Sequence, residues 1–258
     1  MQKITQIVFI DPRVEEYQTL AQSAEPRTET FILDRARDGV EQITRLLASY
    51  IDISAVHIVS HGGPGSLQLG AIELNSANLD GWGDRLQQWK KALSPNADLL
   101  LYGCNVAAEI APPVAGLSFL QRLNQLTGAN IAASNSLTGS AALGGDWDLE
   151  VTIGCVETQA AFSQEAIAAY NHVLATINVT TIADEDNGIL GGGSGISLRE
   201  AIRYSGTGDT INLPAGTYTL TITGANENLG ATGDLDITKN LTITGAGAAA
   251  TTDRKSVV

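Results

Sequence analysis

Two apolar runs each end in a residue able to do nucleophilic or acid–base chemistry. Ala55-Val56-His57-Ile58-Val59-Ser60 leads into His61-Gly62-Gly63, and Ala97-Asp98-Leu99-Leu100-Leu101-Tyr102 leads into Gly103-Cys104-Asn105. An imidazole that meets a thiol acts as its base and then as proton donor to the leaving group, which is the core of a cysteine hydrolase. A continuous apolar run reads as a strand buried on both faces of a parallel sheet, and such sheets place chemistry just beyond the strands' carboxyl ends. A single connection separates the two runs, so the strands are expected to be neighbours that bring His61 and Cys104 to one end of the sheet. The backbone N–H groups of Gly62 and Cys104 are the candidate oxyanion donors, since a small residue permits close approach there. A helix beginning after Cys104 is expected to favour its thiolate. No third catalytic side chain is identifiable.

Those residues need a frame, and residues 1–158 supply the alternating strand and helix patterns of a doubly wound, mostly parallel α/β sheet. Strands are expected at Ile7 to Ile10, Thr30 to Leu33, Val56 to Ser60, Leu99 to Tyr102 and Asn130 to Ser134, with an edge strand or hairpin arm in Trp147 to Ile153. Asp38 is a suitable N-cap for a helix in which Val40, Ile43, Leu46 and Leu47 recur at helical spacing. Leu79 to Leu93 carries Trp82, Leu86 and Trp89 on one face, and Leu117 to Leu126 is a helix stopped by Gly128. Ser66 to Leu74 alternates around Gly70 as a small hairpin able to wall a cleft. Asp11, Asp34 and Ser134-Asn135 end other strands, so with Trp147 they are candidates to border that cleft. A carboxylate there, Asp11 above all, would favour a Lys or Arg side chain. His57 lies inside its strand as a packing residue, Trp82 and Trp89 belong to the core, and Cys155 reads as a half-buried free thiol.

The chain has 258 residues, 43% of them hydrophobic, enough for a sizeable core. Its 28 acidic against 15 basic residues give a formal charge of −13, which argues against nucleic acid and anionic membrane surfaces as partners. Two cysteines exclude a disulfide-stapled scaffold. The N-terminal apolar run is too short for a signal-peptide core or a membrane span, so export is expected by another route, with a cytoplasmic location if the chain is a truncated product. No cofactor is called for. Asp184-Glu185-Asp186-Asn187-Gly188 matches the start of a calcium loop, but the pattern's twelfth position falls on Gly195, and a solvated acidic turn is the reading preferred.

Residues 159–176 read as a connector, in which His172 is exposed by default, and residues 177–258 change character. Charged residues thin out, and short strands such as Tyr218 to Thr223 and Leu241 to Thr244 are separated by Gly- and Asn-rich turns, the pattern of a β-solenoid. Gly191-Gly192-Gly193-Ser194-Gly195 is a flexible loop with no strand-loop-Lys pattern around it. Only the first coils are present, and an open coil end is expected to self-associate.

His61-Gly62 and Gly103-Cys104 resemble the matching strand ends of caspase-hemoglobinase-fold cysteine peptidases. Several blocks together, Ile32-Leu33-Asp34, Asp38-Gly39-Val40, Ile58 to Gly62, Leu100 to Cys104 and Leu143 to Glu150, resemble an uncharacterised domain family at the front of very large bacterial surface or secreted proteins. Ile196-Ser197-Leu198-Arg199-Glu200-Ala201-Ile202 resembles the opening motif of right-handed parallel β-helix proteins, with isoleucine in place of the motif's cysteine. The caspase resemblance implies a caspase-like fold with cysteine endopeptidase chemistry, the β-helix motif implies a truncated β-solenoid after it, and the domain order suggests processing of a polypeptide, in cis, within a large surface protein. The alternative it leaves open is a non-catalytic recognition or assembly module of a bacterial adhesin. A carbohydrate-active β-helix is a weaker third reading, because its catalytic residues would belong to later coils.

Overall fold

Apolar strands alternating with amphipathic helices have one economical arrangement, a parallel sheet covered on both faces, and the N-terminal part of this chain adopts it. The computed structural model describes residues 3–109, 115–188, 193–205, 209–224, 228–239, 241–247 and 250–255. It divides into an N-terminal unit, residues 1–175, and a C-terminal unit, residues 176–258. Gly191 and Gly192 of the glycine-rich loop lie outside the described residues.

In the N-terminal unit the elements run β1 (Gln6–Ile10), α1 (Tyr17–Gln22), β2 (Thr28–Ile32), α2 (Gly39–Leu47), β3 (Ile53–Val59), β4 (Gly62–Gly63), β5 (Ser66–Leu69), β6 (Ile72–Asn75), α3 (Gly83–Trp89), β7 (Leu93–Tyr102), α4 (Ala115–Thr127), β8 (Asn130–Ala133), β9 (Val151–Ile153) and α5 (Gln164–Ala169). Six strands form the central sheet in the order β2-β1-β3-β7-β8-β9, all parallel except β9, which is antiparallel to β8. The strand order reverses direction between β1 and β3, the position at which doubly wound sheets open a crevice. The small β4-β5-β6 sheet contains the hairpin expected around Gly70.

One face of the sheet is covered by helices, as their apolar spacing dictates. Val40, Ile43 and Leu47 of α2, Leu86 and Trp89 of α3 and Phe119, Leu120 and Leu123 of α4 bury against Phe9, Val56, Ile58, Leu99 and Leu101. Asp38 caps α2, accepting the Glu41 N–H at 2.8 Å, and the buried Trp89 indole donates to Thr44 Oγ1 at 2.8 Å. The opposite face, bearing Val8, Ile10, Val59, Leu100 and Tyr102, is covered by Leu20 of α1 and by Ala161, Phe162, Tyr170, Val173, Leu174 and Ala175. The stretch read from sequence as a connector therefore packs into the N-terminal unit. The two residues before it are pinned by buried Asp98, whose Oδ2 accepts the Glu157 and Thr158 N–H groups and the Thr158 hydroxyl at 3.1, 3.0 and 2.6 Å. Because this segment folds onto the sheet, His172 is half-buried instead of exposed, whereas Cys155 is exposed. The edge strand is limited to Val151–Ile153, and Trp147 precedes it in an aromatic cluster, 5.8, 5.9 and 5.4 Å from the rings of Tyr102, Phe162 and Tyr170.

His57 is fully buried in β3, stacked on Tyr102, with Nε2 3.0 Å from Gln6 Oε1. Burial pushes its pKa down to about 4, against an opposing pull from Asp98. The folded form thus keeps the imidazole neutral while the unfolded chain binds a proton below its ordinary value of 6.5, so this stability is present above that value and is lost as pH falls toward 4. The loss amounts to about 3 kcal/mol at the lower end. Urea unfolding of His57→Phe should show a correspondingly shallower pH dependence than the wild type between these limits; parallel curves would contradict it.

The C-terminal unit comprises β10 (Thr176–Asn178), α6 (Leu198–Tyr204), β11 (Thr210–Leu213), β12 (Gly216–Leu220), β13 (Thr242–Gly245) and β14 (Thr251–Lys255). β10, β11 and β13 are parallel neighbours that bring Ile177, Ile211 and Ile243 into one register row, and β12 pairs in parallel with β14. Asn212 donates to Asn178 Oδ1 at 2.9 Å along the adjacent row. Helix α6 starts with a capping box between Ser197 and Glu200 and packs Leu198, Ala201 and Ile202 against Ile177, Ile211 and Tyr218. The acidic turn is engaged by its own surroundings: Asp184 pairs with Arg199 at 2.6 Å, Asp186 with Arg203 and the Tyr204 hydroxyl, and Glu185 accepts from Ser194.

Candidate functional site

Parallel pairing of β3 with β7 aligns Val59 with Tyr102, and the Ser60 N–H donates to the Tyr102 carbonyl at 3.0 Å. His61 and Cys104 each lie two residues beyond this last pair, so they emerge from adjacent strands at the same end of the sheet, as the two apolar runs predicted. Both are buried. Gly62 is required for this approach, since a Cβ there would lie 2.7 Å from Val106 Cγ2 and 2.9 Å from the Cys104 carbonyl oxygen.

The His61 ring is held at both nitrogens by backbone oxygens. Nε2 lies 3.1 Å from the Arg13 carbonyl and Nδ1 3.2 Å from the Ala175 carbonyl, with Glu15 Oε2 3.6 Å from Nε2. Burial pushes the imidazole below the ordinary histidine range, outweighing the upward pull of the Arg13 carbonyl, of Asp11 and of the Ala175 carbonyl. The Arg13 and Ala175 carbonyls only accept, so a neutral ring, which carries one N–H, donates to one of them and turns its bare nitrogen toward the other.

Cys104 Sγ lies 3.1 Å from the Thr138 nitrogen, whose N–H points at it, and 3.5 Å from the Thr138 carbonyl oxygen. Cys104 opens a turn that runs to Ala107, and none of residues 105–109 is helical, so no helix starts directly after the thiol. The two backbone donors expected to face open space instead converge on one atom: the Gly62 and Cys104 N–H groups both donate to the Leu174 carbonyl oxygen, at 2.9 and 3.0 Å. Residues 172–175 run extended through the site. The Ser140 N–H donates to the His172 carbonyl at 2.8 Å, the Leu174 N–H to the Thr138 carbonyl at 2.9 Å, and bridges join Gly139 to Val173 and Gly62 to Ala175.

The other predicted cleft residues have different surroundings. Asp11 is buried at the end of β1, where Oδ1 meets the Arg13 guanidinium at 3.2 Å and Oδ2 accepts the Gly70 N–H at 2.6 Å. Arg13 also donates to the Gly70 carbonyl at 2.6 Å, so this carboxylate fastens the hairpin and is already paired with a cation of its own chain. Asp34 is exposed beyond the edge strand β2 and accepts the Ala36 N–H at 2.9 Å in a turn. Ser134 accepts the Ala107 N–H through its carbonyl at 2.9 Å, and the Asn135 N–H donates to Glu150 at 3.0 Å, so this loop braces the turn after Cys104. Trp147 lines a cleft of about 450 Å³ with Tyr102, Asp148, Gln164 and Ile167 on the second sheet face; the residues lining it do not include His61 or Cys104. Sequence reasoning missed the Arg13 carbonyl, Thr138 and the 172–175 segment. Backbone groups leave no side-chain signal, and the apolar Val173-Leu174-Ala175 stretch is the feature that could have marked the segment as one with something to bury.

The fold and site together define a mixed α/β protein, with a mostly parallel six-stranded sheet and a buried imidazole and thiol beyond adjacent strand ends. The chain belongs to the family described as domain of unknown function DUF4347, whose sequence profile matches residues 7–174. No curated protein matches the chain. Among solved structures, the crystal structure of a small-chain dehydrogenase aligns at 9% identity with a TM-score of 0.25, over 49% of this chain and 72% of that chain, a likeness too slight to carry an argument. Among the described residues, no helix is long and apolar enough to cross a membrane, and no group of three or more His, Cys, Asp or Glu side chains could hold a metal ion.

Proposed function

We propose that the N-terminal unit is a caspase-like cysteine endopeptidase, with Cys104 as nucleophile and His61 as acid and base, and that it acts on its own chain within a larger surface or secreted protein. The observation that carries this reading is the pair of N–H groups, Gly62 and Cys104, aimed at one peptide carbonyl within 3.0 Å. Donors at that separation from a carbonyl stabilise the negative oxygen that forms when a nucleophile adds to it. Residues 172–175 are held by main-chain hydrogen bonds and bridges, the way a strand-like substrate is recognised with little dependence on its side chains. In the C-terminal unit, the register row of Ile177, Ile211 and Ile243 supports the start of a parallel β-helix.

The second reading, a non-catalytic recognition or assembly module, draws on the complete burial of Cys104, whose sulfur has Thr138 neighbours as a structural thiol would. Incubation of the purified full chain separates the two. Cleavage should be first order and independent of protein concentration, absent in Cys104→Ala, and slowed about 10²–10⁴-fold in His61→Ala, the usual worth of a positioned base. Cleavage indifferent to Cys104→Ala would sink the peptidase reading. So would an intact chain in which Cys104 also fails to form an adduct with a leucyl acyloxymethyl ketone.

A further inference from the structure

The geometry points to the Leu174–Ala175 peptide bond as the bond this site cuts, releasing the rest of the chain with Ala175 as its new N-terminus. This inference rests on the peptidase reading and adds the position and side-chain preference of the cut. Two contacts set the register and a third agrees with it. First, the carbonyl that receives both the Gly62 and the Cys104 N–H belongs to Leu174, so Leu174 is the acyl residue and Ala175 supplies the leaving amine. Second, His61 Nδ1 faces the leaving-group side, 3.2 Å from the Ala175 carbonyl. Third, Cys104 Sγ and the Leu174 N–H share the Thr138 carbonyl oxygen, at 3.5 and 2.9 Å, which places the thiol beside the backbone of the acyl residue.

The side chains agree with this register. Leu174 is fully buried in the apolar cluster that includes Tyr102, Cys104, Tyr170 and Val173, so a large aliphatic residue is selected at the acyl position. Ala175 is 6% exposed, and a small residue fits on the leaving side. Gly139 lies against the segment, where a Cβ would be 2.3 Å from the His172 carbonyl oxygen and 2.9 Å from Val173 Cα, so the peptide is seated by backbone contact. The bond also falls at a natural division. The DUF4347 match ends at Leu174, and the C-terminal unit begins at Thr176.

In the reaction, the Cys104 thiol gives its proton to the His61 imidazole as Sγ bonds to the Leu174 carbonyl carbon. The carbonyl electrons move to the oxygen held by the two N–H groups. Their return breaks the C–N bond to Ala175, whose nitrogen takes the proton from His61. Water then adds to the Leu174–Cys104 thioester, giving a free Leu174 carboxyl and restoring the thiol. No oxidant, reductant or metal enters the balance.

The full chain, with Cys104→Ala and Leu174→Asp variants, is incubated and its products are mapped by intact mass and N-terminal sequencing. In parallel, Cys104 adduct formation is measured with an acyloxymethyl ketone carrying the sequence Asn-His-Val-Leu. The expected result is a product beginning at Ala175, lost in Cys104→Ala and in Leu174→Asp, with an adduct on Cys104. Cys104-dependent cleavage at a different bond, or an adduct on Cys104 in a chain that stays intact, would overturn the bond assignment and leave the peptidase reading standing. Neither cleavage nor adduct would overturn both.

Discussion

Replacing Arg199 with methionine should destabilise the C-terminal unit by about 3–5 kcal/mol, the cost of leaving a buried charge without its partner. Arg199 and Asp184 side chains are 0% and 2% exposed. Nε and a terminal nitrogen of Arg199 donate to the two Asp184 oxygens at 2.6 and 3.1 Å, and the remaining donors reach the Gly230 and Gly233 carbonyls at 2.8 and 2.9 Å. Asp184 in turn accepts the Thr221 and Ile222 N–H groups at 2.5 and 2.8 Å. Burial alone would push the Asp184 carboxyl up, but the Arg199 guanidinium and the Ile222 and Thr221 N–H groups hold it below the usual carboxylate range. One guanidinium–carboxylate pair thus ties together four separate chain segments. Hydrogen exchange at the Thr221 and Ile222 amides measures the loss directly, with protection falling by about two to four powers of ten. Arg199→Met with Asp184→Asn should lose less than Arg199→Met alone, because the orphaned charge is then gone; a double variant as damaged as the single one would refute the charge account.

Arg199 also shows what a sequence motif does and does not convey. Ser197-Leu198-Arg199-Glu200-Ala201-Ile202 was legible as a helix start: Ser197 and Glu200 form the capping box, and Ala201 and Ile202 are core. The arginine's purpose was not, because its partners stand 15 to 34 residues away in turns that carry no periodic pattern. The same split runs through the candidate site. The apolar runs before His61 and Cys104 announced neighbouring parallel strands, and register did the rest. Asp11 was visible as a strand-end carboxylate, but the guanidinium of Arg13 folding back on it was not, and that contact converts a candidate substrate contact into a brace for the Gly70 turn. Residues 159–175 failed to register as core because Ala161, Phe162, Tyr170, Val173 and Leu174 follow neither helical nor strand spacing. They pack singly from an irregular path, and only a sheet face lacking long helices among the described residues explains their burial.

Gly139→Ala should uncover Cys104 and stop cleavage in cis, with labelling of Cys104 by iodoacetamide in a Cys155→Ser background rising about 10- to 100-fold. Gly139 has φ +135°, a conformation that costs any other residue about 1–3 kcal/mol. Its Cβ would also strike backbone atoms of His172 and Val173, which cannot swing aside as a side chain can. The bridge from Gly139 to Val173 and the Ser140 bond to His172 would be strained together, so undocking of residues 172–175 relieves the clash. Each 1.4 kcal/mol of weakened docking multiplies the undocked population by about ten, which gives the expected range. Gly144→Ala is the matched control: Gly144 also has positive φ, at +83°, yet a Cβ there meets nothing within 4 Å. Its left-handed backbone also disfavours alanine, without the collision, and Cys104 should stay protected in it. Unchanged hydrogen exchange in β3 and β7 separates local undocking from global loss of the fold. If Gly139→Ala labels no faster than Gly144→Ala, the segment is not seated through Gly139; if labelling rises while cleavage continues undiminished, the docked strand is not the substrate.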